Sequence, residues 1–468
     1  MLFLRRLAKR FTNIIHSSIY SGNSLSHFAL KRLSNGETIK SIQSSLDHLW
    51  RDFNFIGCDF VTLRRPVAHY LTQVCSVRQL DNCPCIKPCH GRKKLSMQKR
   101  IQTKPASLAI LGTRGIPARH GGFETFAEKL AIFLVGNGWE VDVYCQTDRR
   151  EEPYFWNGVR LVPIRVPGDS AFSTMVFDLL ATLHCLKNDR LPLILGYNTA
   201  VLSIFYRLTG RRSVMNMDGV EWQRDRWPKY VKAWFWFNER LGCYLSDHLV
   251  ADHPEIARRL AMRVGANKIS FIAYGSDPIL AADPMLLAPL VPGQYGLLIG
   301  RIVPENSILE IVRGWTRAGF NQRLAVVGAF DPKDYAYHAA VNEAAGESVR
   351  FLGPVYNKAN LDALRLHALF HIHGHRVGGT NPSLVEALGA GSPIIAHDNC
   401  YNRWVAGEHA LYFKDDSEFA LACRELVTSP AERLADLRRA SRARHAEAFQ
   451  WDRILASYER VLLEWRKQ

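Results

Sequence analysis

His371-Ile372-His373-Gly374-His375-Arg376-Val377-Gly378-Gly379-Thr380-Asn381-Pro382-Ser383-Leu384-Val385-Glu386 is the stretch on which the fold turns. A short apolar run ends near His373, a glycine-rich loop follows, and Pro382 sits where the first turn of a helix tolerates it. Thr380 or Asn381 can cap that helix. Its free N–H groups and positive dipole end then suit an anion such as a diphosphate. Glu386 falls about five residues further, roughly 7.5 Å along the helix axis. At that distance a carboxylate can accept hydrogen bonds from ribose hydroxyls while a diphosphate sits at the helix start.

Working outward, the same texture fills the chain from Ser107 onward. Strands are expected at Ser107–Gly112, Glu140–Cys145, Arg160–Val166, Pro192–Leu195, Ser213–Met217, His248–Ala251 and Ile269–Ala273. A helix between the first two is read from Phe123, Phe126, Ala127, Leu130, Ala131 and Leu134 at helical spacing. After an irregular, proline-rich stretch from Ala281 to Gly293, read as an interdomain linker, a second series follows. Its strands are Tyr295–Gly300, Arg323–Val327, Val349–Leu352, Ala368–His373 and Pro393–Ala396. Strands alternating with helices predict an α/β fold of two Rossmann-like domains facing a cleft. Ligands in such sheets bind at the carboxyl ends of strands, so the informative loops follow Gly112, Met217, Gly300 and His373.

The net charge of +16 resembles a nucleic-acid signal, but its distribution argues against one. Residues 1–100 carry 17 Lys/Arg against 5 Asp/Glu, which leaves only +4 for the rest. Residues 1–100 therefore read as a basic leader, disordered or mis-assigned, with Met97 as an alternative start. The other reading of Met1–Arg10 is a targeting or membrane-surface helix. Cys83, Cys85, Cys89 and His90 crowd together there, either as a zinc site or as unpaired thiols. Cys145, Cys185, Cys243, Cys400 and Cys423 lie mostly in apolar runs, as buried free thiols in a reducing compartment do. No run of about 18 apolar residues predicts a membrane span. Trp234-Phe235-Trp236-Phe237 is either a helix packed in its domain or a peripheral membrane contact.

The remaining loops supply candidate chemistry. Gly112-Thr113-Arg114-Gly115-Ile116-Pro117-Ala118-Arg119-His120-Gly121-Gly122-Phe123-Glu124 joins a strand to a helix and lets backbone N–H groups approach an anion. Arg301, at a strand's carboxyl end, offers a permanent forked cation for a diphosphate. Asp218, with Gly219, Glu221 and Trp222 close by, suits sugar hydroxyls and could orient an acceptor, serve as a base or simply cap a loop. His371, His373 and His375 alternate on one strand face. A metal site is weighed there against a hydrogen-bonding or substrate-contacting role, and the expected assignment is no metal.

The segments Gly300-Arg301 and Gly379-Thr380-Asn381-Pro382-Ser383-Leu384-Val385-Glu386 resemble family 4 glycosyltransferases of the GT-B fold. Gly112-Thr113-Arg114-Gly115-Ile116-Pro117, Gly121-Gly122-Phe123-Glu124-Thr125 and Asn216-Met217-Asp218-Gly219 are similar to its bacterial rhamnosyltransferase-like subgroup. Phe449-Gln450-Trp451-Asp452-Arg453-Ile454 and Tyr458 resemble the family's closing helix. The resemblance covers about residues 105–465. It implies an acceptor domain at 101–290, a nucleotide-sugar domain at 291–450 and a closing helix at 451–468 that crosses back, while the leader at 1–100 is read from charge and texture alone.

On that resemblance the chain transfers a hexosyl unit, rhamnosyl in the subgroup, from a nucleoside-diphosphate sugar to a surface-glycan or lipid-linked acceptor. Transfer would be retaining and metal-independent, in the cytoplasm or at the inner face of the membrane, with no cofactor and no nucleic-acid partner. Arg301 matches the diphosphate-binding Arg and Glu386 the ribose-binding Glu. Gly379, Thr380, Asn381, Ser383, Gly121 and Gly122 complete the expected donor site. Arg114, Arg119, Glu221 and Trp222 face the acceptor, and Asp218 and His120 are the catalytic candidates. Gly378 stands where the family places its other Glu, and Asn306 where it places a Lys. A GT-B-like nucleotide-sugar epimerase and a non-catalytic nucleotide-sugar-binding partner remain as alternatives.

Overall fold

The computed structural model describes residues 105–118 and 121–467. The leader, its cysteine cluster, Arg119 and His120 lie outside the described residues. Pro105–Phe205 with Arg212–Gln468 form one compact unit that carries both sheets.

The first sheet contains β1 (Ser107–Leu111), β2 (Glu140–Thr147), β3 (Tyr154–Trp156), β4 (Val159–Arg165), β5 (Leu191–Leu195), β6 (Val214–Asn216), β7 (His248–Ala251) and β8 (Ile269–Phe271). Their order is β3-β4-β2-β1-β5-β6-β7-β8, parallel except for the antiparallel β3–β4 pair. The second contains β9 (Tyr295–Ile299), β10 (Arg323–Val327), β11 (Val349–Gly353), β12 (Phe370–His373), β13 (Ile394–His397) and β14 (Leu411–Phe413), in the order β11-β10-β9-β12-β13-β14. Each sheet reverses direction beside its first strand, at β1–β5 and at β9–β12. Those are the points where doubly wound sheets open a crevice.

The helices are α1 (Gly122–Gly136), α2 (Ala171–Cys185), α3 (Ser203–Thr209), α4 (Lys229–Leu245), α5 (Pro254–Ala261), α6 (Ile308–Ala318), α7 (Ala336–Ala344), α8 (Lys358–His367), α9 (Pro382–Gly389), α10 (Cys400–Ala406), α11 (Asp416–Thr428), α12 (Ala431–Ala448) and α13 (Trp451–Lys467). In α1 the expected stripe is buried at Phe126, Ala127, Leu130, Ala131 and Leu134, with Phe123 half-buried.

The closing helix α13 does cross back onto the first sheet. The Tyr458 ring lies tilted against Phe126 with centroids 4.6 Å apart, and its hydroxyl accepts from Asn216 Nδ2 at 2.7 Å. Trp139 and Asn137, at the end of α1, donate to the Glu459 carboxylate at 2.9 and 2.8 Å. Burying an aliphatic side chain such as Leu462 contributes about 1.5–3 kcal/mol and helps hold the helix in place.

The structure adds detail to several expectations. The stretch expected to be a linker is anchored: Leu287 and Leu290 are buried against the second sheet's strands, and His367 bonds the Ala282 carbonyl at 2.9 Å. Strands β3 and β14, three residues each, were not among the expected strands. Cys185, Cys243 and Cys423 are buried and outside any disulfide, whereas Cys400 opens α10 in an exposed position. In α4, Trp234 is packed and donates to the Asn198 carbonyl at 2.9 Å, while Tyr230, Trp236 and Tyr244 stay exposed. Among the described residues no helix is long and apolar enough to cross a membrane.

Candidate active site

The loops at the carboxyl ends of the two sheets meet. A Cβ placed on Gly122 would stand 3.1 Å from the Pro382 ring, so the N-termini of α1 and α9 touch. A Cβ on Gly219 would lie 3.5 Å from the Gly378 carbonyl carbon and the Gly379 nitrogen. Asp252, immediately after β7, accepts the Thr380 N–H at 3.1 Å, and the Thr380 hydroxyl donates to the Asp252 carbonyl oxygen. Arg224 reaches Glu305 of the second sheet's half at 3.4 Å. Both first turns, from the two halves, thus direct their positive ends toward one place.

On the second sheet's side, Arg301 is exposed just beyond β9. Its backbone turn is pinned by buried Asn306, whose amide donates to the Arg301 carbonyl at 2.8 Å. Asn306, in place of a Lys, therefore holds the turn that presents the guanidinium. Of the two capping candidates Asn381 is the cap, accepting the Ser383 N–H at 3.0 Å. Leu384 and Val385 both donate to the Asn381 carbonyl. The expected free N–H groups at the start of α9 are consequently engaged within the helix. What α9 keeps for an anion is its dipole and the adjoining Gly378–Gly379 turn. Ser383 points its hydroxyl back to the Ile299 carbonyl at 3.2 Å. Glu386 pairs with buried Arg365 from α8, which fixes its rotamer. Gly378 faces open space: a Cβ there would meet nothing within 4 Å.

On the first sheet's side, Asp218 follows β6 in a left-handed conformation (φ 48°), with its N–H given to Asn216 Oδ1 at 2.9 Å. Burial, then the charge of Glu221, raises its carboxyl above the usual range. Glu221 itself is held by Arg224 at 2.6 Å, Arg226 at 3.1 Å and the Trp227 indole at 3.1 Å. Its N–H goes to the Tyr197 hydroxyl at 2.8 Å. Trp222 is engaged inside the first half: its indole donates to Glu239, and Arg259 lies 4.6 Å from its ring centroid. Arg114 reaches sideways to the Asp169 carbonyl at 2.8 Å. Gly121 is the N-cap of α1 and is exposed, with room around it.

His371, His373 and His375 do share one face, with the last two rings stacked at 4.3 Å. Burial lowers all three, His373 to about 3, so they are neutral imidazoles. Among the described residues no group of three or more His, Cys, Asp or Glu is arranged to hold a metal ion. His375 instead packs against Gly300, 3.3 Å from where a Cβ would stand, beside the Arg301 turn.

Sequence reasoning missed Asp252, Arg365 and the Arg224–Glu305 pair. Asp252 had a readable signal, since it follows the expected strand His248–Ala251 just as Asp218 follows Ser213–Met217. Arg365 had none, because only the packing of α8 against α9 brings it to Glu386.

A family described as a domain of unknown function, DUF1972, matches residues 106–277, the whole of the first sheet. A search of curated proteins finds no match. Among solved structures, sucrose-phosphate synthase from Thermosynechococcus elongatus aligns over 77% of this chain and 98% of its own, at 18% identity and a TM-score of 0.66. An α,α-trehalose-phosphate synthase (UDP-forming) from Burkholderia vietnamiensis aligns over 77% and 100%, at 11% identity and a TM-score of 0.61. Anabaena HepE, in complex with UDP and glucose, aligns over 76% and 99%, at 13% identity and a TM-score of 0.59. The fold is GT-B. It sets two Rossmann-like sheets with their carboxyl ends toward each other, which is why residues 260 apart in sequence, such as Gly122 and Pro382, come into contact.

Proposed function

We propose that this chain is a glycosyltransferase that takes a hexosyl unit, rhamnosyl on the subgroup resemblance, from a nucleoside-diphosphate sugar. The observation that carries this reading is the meeting of the α1 and α9 N-termini beside Arg301 and Glu386. Two converging dipoles and one permanent guanidinium suit a diphosphate, and an anchored carboxylate one helical turn away suits a ribose. Structures with the same fold hold UDP, as in HepE with UDP and glucose, which supports a nucleotide-sugar donor.

In this reading Arg301, Gly121, Gly122, Gly379, Thr380, Asn381, Ser383 and Glu386 form the donor side, with Thr380, Asn381 and Ser383 shaping the turn. Asp218 and Arg114 face the acceptor, a surface-glycan or lipid-linked saccharide, while Glu221 and Trp222 brace that wall. The bond from the anomeric carbon to the donor phosphate breaks, and a bond to the acceptor oxygen forms on the same face. The acceptor proton passes to the departing phosphate oxygen, with Asp218 orienting the hydroxyl. Arg301 offsets the charge left on the diphosphate. The open space at Gly378, where a carboxylate is absent, leaves sugar recognition to backbone groups and to the shape of the turn.

The test is transfer by the purified Arg301→Ala, Glu386→Ala double variant with the wild-type donor and acceptor. Transfer is expected to vanish while folding is retained. Unchanged transfer would remove these residues from the site, and donor consumption without any acceptor would point to an epimerase instead.

A further inference from the structure

We propose that Asp252 is a positioning residue for the donor turn, tying the crest of the first sheet to Gly379 and Thr380 across the cleft. It rests on the donor assignment of that turn made above.

Three observations carry it. The Asp252 carboxylate accepts the Thr380 N–H while the Asp252 carbonyl accepts the Thr380 hydroxyl, a two-point clasp between halves 128 residues apart in sequence. Gly379 has no side chain where one would collide: a Cβ there would lie 2.3 Å from Asp252 Oδ1. Oδ1 itself is buried with no hydrogen-bond partner, an unusual state for a carboxylate oxygen. The carboxyl group therefore sits against the Gly379–Thr380 peptide. It fixes that turn from the opposite half, at the place where the closed cleft would hold the donor.

The clasp is proton-linked. Burial, and then the neighbouring charge of Asp218, raises Asp252 to about 7. Opening the cleft returns it to water, where a carboxyl titrates near about 3.9. The closed form thus gains a proton. Its extra stability is full below about 4, declines as pH rises, and is gone above about 7. The groups facing Asp252 are Asp218 after β6, His253 beside it, Tyr401 of α10 and Tyr458 of α13. Burial lowers His253 to about 4 and raises Tyr401 to about 12 and Tyr458 higher, so these three stay neutral between pH 5 and 8. Asp218 titrates in the same window, so only a substitution at Asp252 isolates its share.

Hydrogen exchange on the full chain, read in peptides covering Gly378–Thr380 at pH 5 to 8 and divided by the intrinsic exchange rate, tests this. Wild-type protection should fall between pH 5 and 7, by up to roughly tenfold per pH unit, and level off above that. Asp252→Asn, which mimics the protonated acid and keeps an acceptor for Thr380, should stay protected with a shallower slope. Asp252→Ala should be unprotected throughout. A flat wild-type profile, or Asp252→Ala matching wild type, overturns the proposal. Binding of UDP, used as a probe, supplies the second readout. Asp252→Ala should bind UDP more weakly, and tighter binding would mean that the carboxylate competes for the phosphate position. Failure of wild type to bind UDP, GDP or dTDP would count against the donor site, while the exchange profile, which needs no nucleotide, still decides the clasp.

Discussion

The two sides of the cleft handle charge in opposite ways. The second sheet presents permanent or neutralised ions: exposed Arg301, and Glu386 already paired with Arg365. The first sheet presents Asp218 and Asp252, whose carboxyls burial pushes toward neutrality. A diphosphate is always ionised near pH 7, and a fixed cation meets it without cost to either protonation state. Sugar hydroxyls are neutral, and a carboxyl poised near neutrality can both accept from and donate to them. The asymmetry thus agrees with a donor side on the second sheet and an acceptor side on the first.

The sharpest way to break this contrast is to remove the permanent cation. Arg301→Ala should lower kcat/KM by roughly 10²–10³-fold, as loss of a preorganised charge-stabilising group does. Arg301→Lys should recover only part of that, because an ammonium lacks the fork. Steady-state kinetics with the cognate donor reads both. On the other side, Asp218→Asn should cost roughly a hundredfold in kcat and remove an acidic limb from the pH–rate profile. The sign follows from its raised pKa: wild-type activity rises as pH climbs through the Asp218 titration, and the variant's does not. A third substitution is read in stability rather than in transfer. Tyr458→Phe removes the acceptor of Asn216 Nδ2 and should destabilise the chain by about 1–3 kcal/mol in urea unfolding. The smallest effect is expected at Gly378, which has room for a side chain. Gly378→Glu should shift stability by no more than about 0.5 kcal/mol while altering donor preference.

The fold was legible because its signal is periodic and local. Strands such as His248–Ala251 and Arg323–Val327 were bounded correctly by apolar runs, and the closing helix by its resemblance. The candidate site was legible where a residue stands just past the carboxyl end of a strand, as Asp218 and Arg301 do. It was not legible where function depends on a rotamer or on a contact between distant elements. Trp222 stands next to the right loop, yet buried Glu239 draws its indole inward. The start of α9 was read as open N–H groups, but Asn381 satisfies them, since an efficient cap and an anion compete for the same donors. Asp252 stands at a strand end too, but its pairing with Thr380 shows only once the second sheet is in place.

The central claim is that the turn before α9, with Arg301, binds a nucleoside diphosphate. Thermal unfolding of the wild type and of Arg301→Ala in the presence of UDP, GDP, dTDP and the matching sugars tests it directly. At least one nucleoside diphosphate should stabilise the wild type, by about 2.7 kcal/mol at a hundred times its Kd, and stabilise Arg301→Ala far less. No stabilisation of the wild type by any of them, or equal stabilisation of both proteins, would contradict the account.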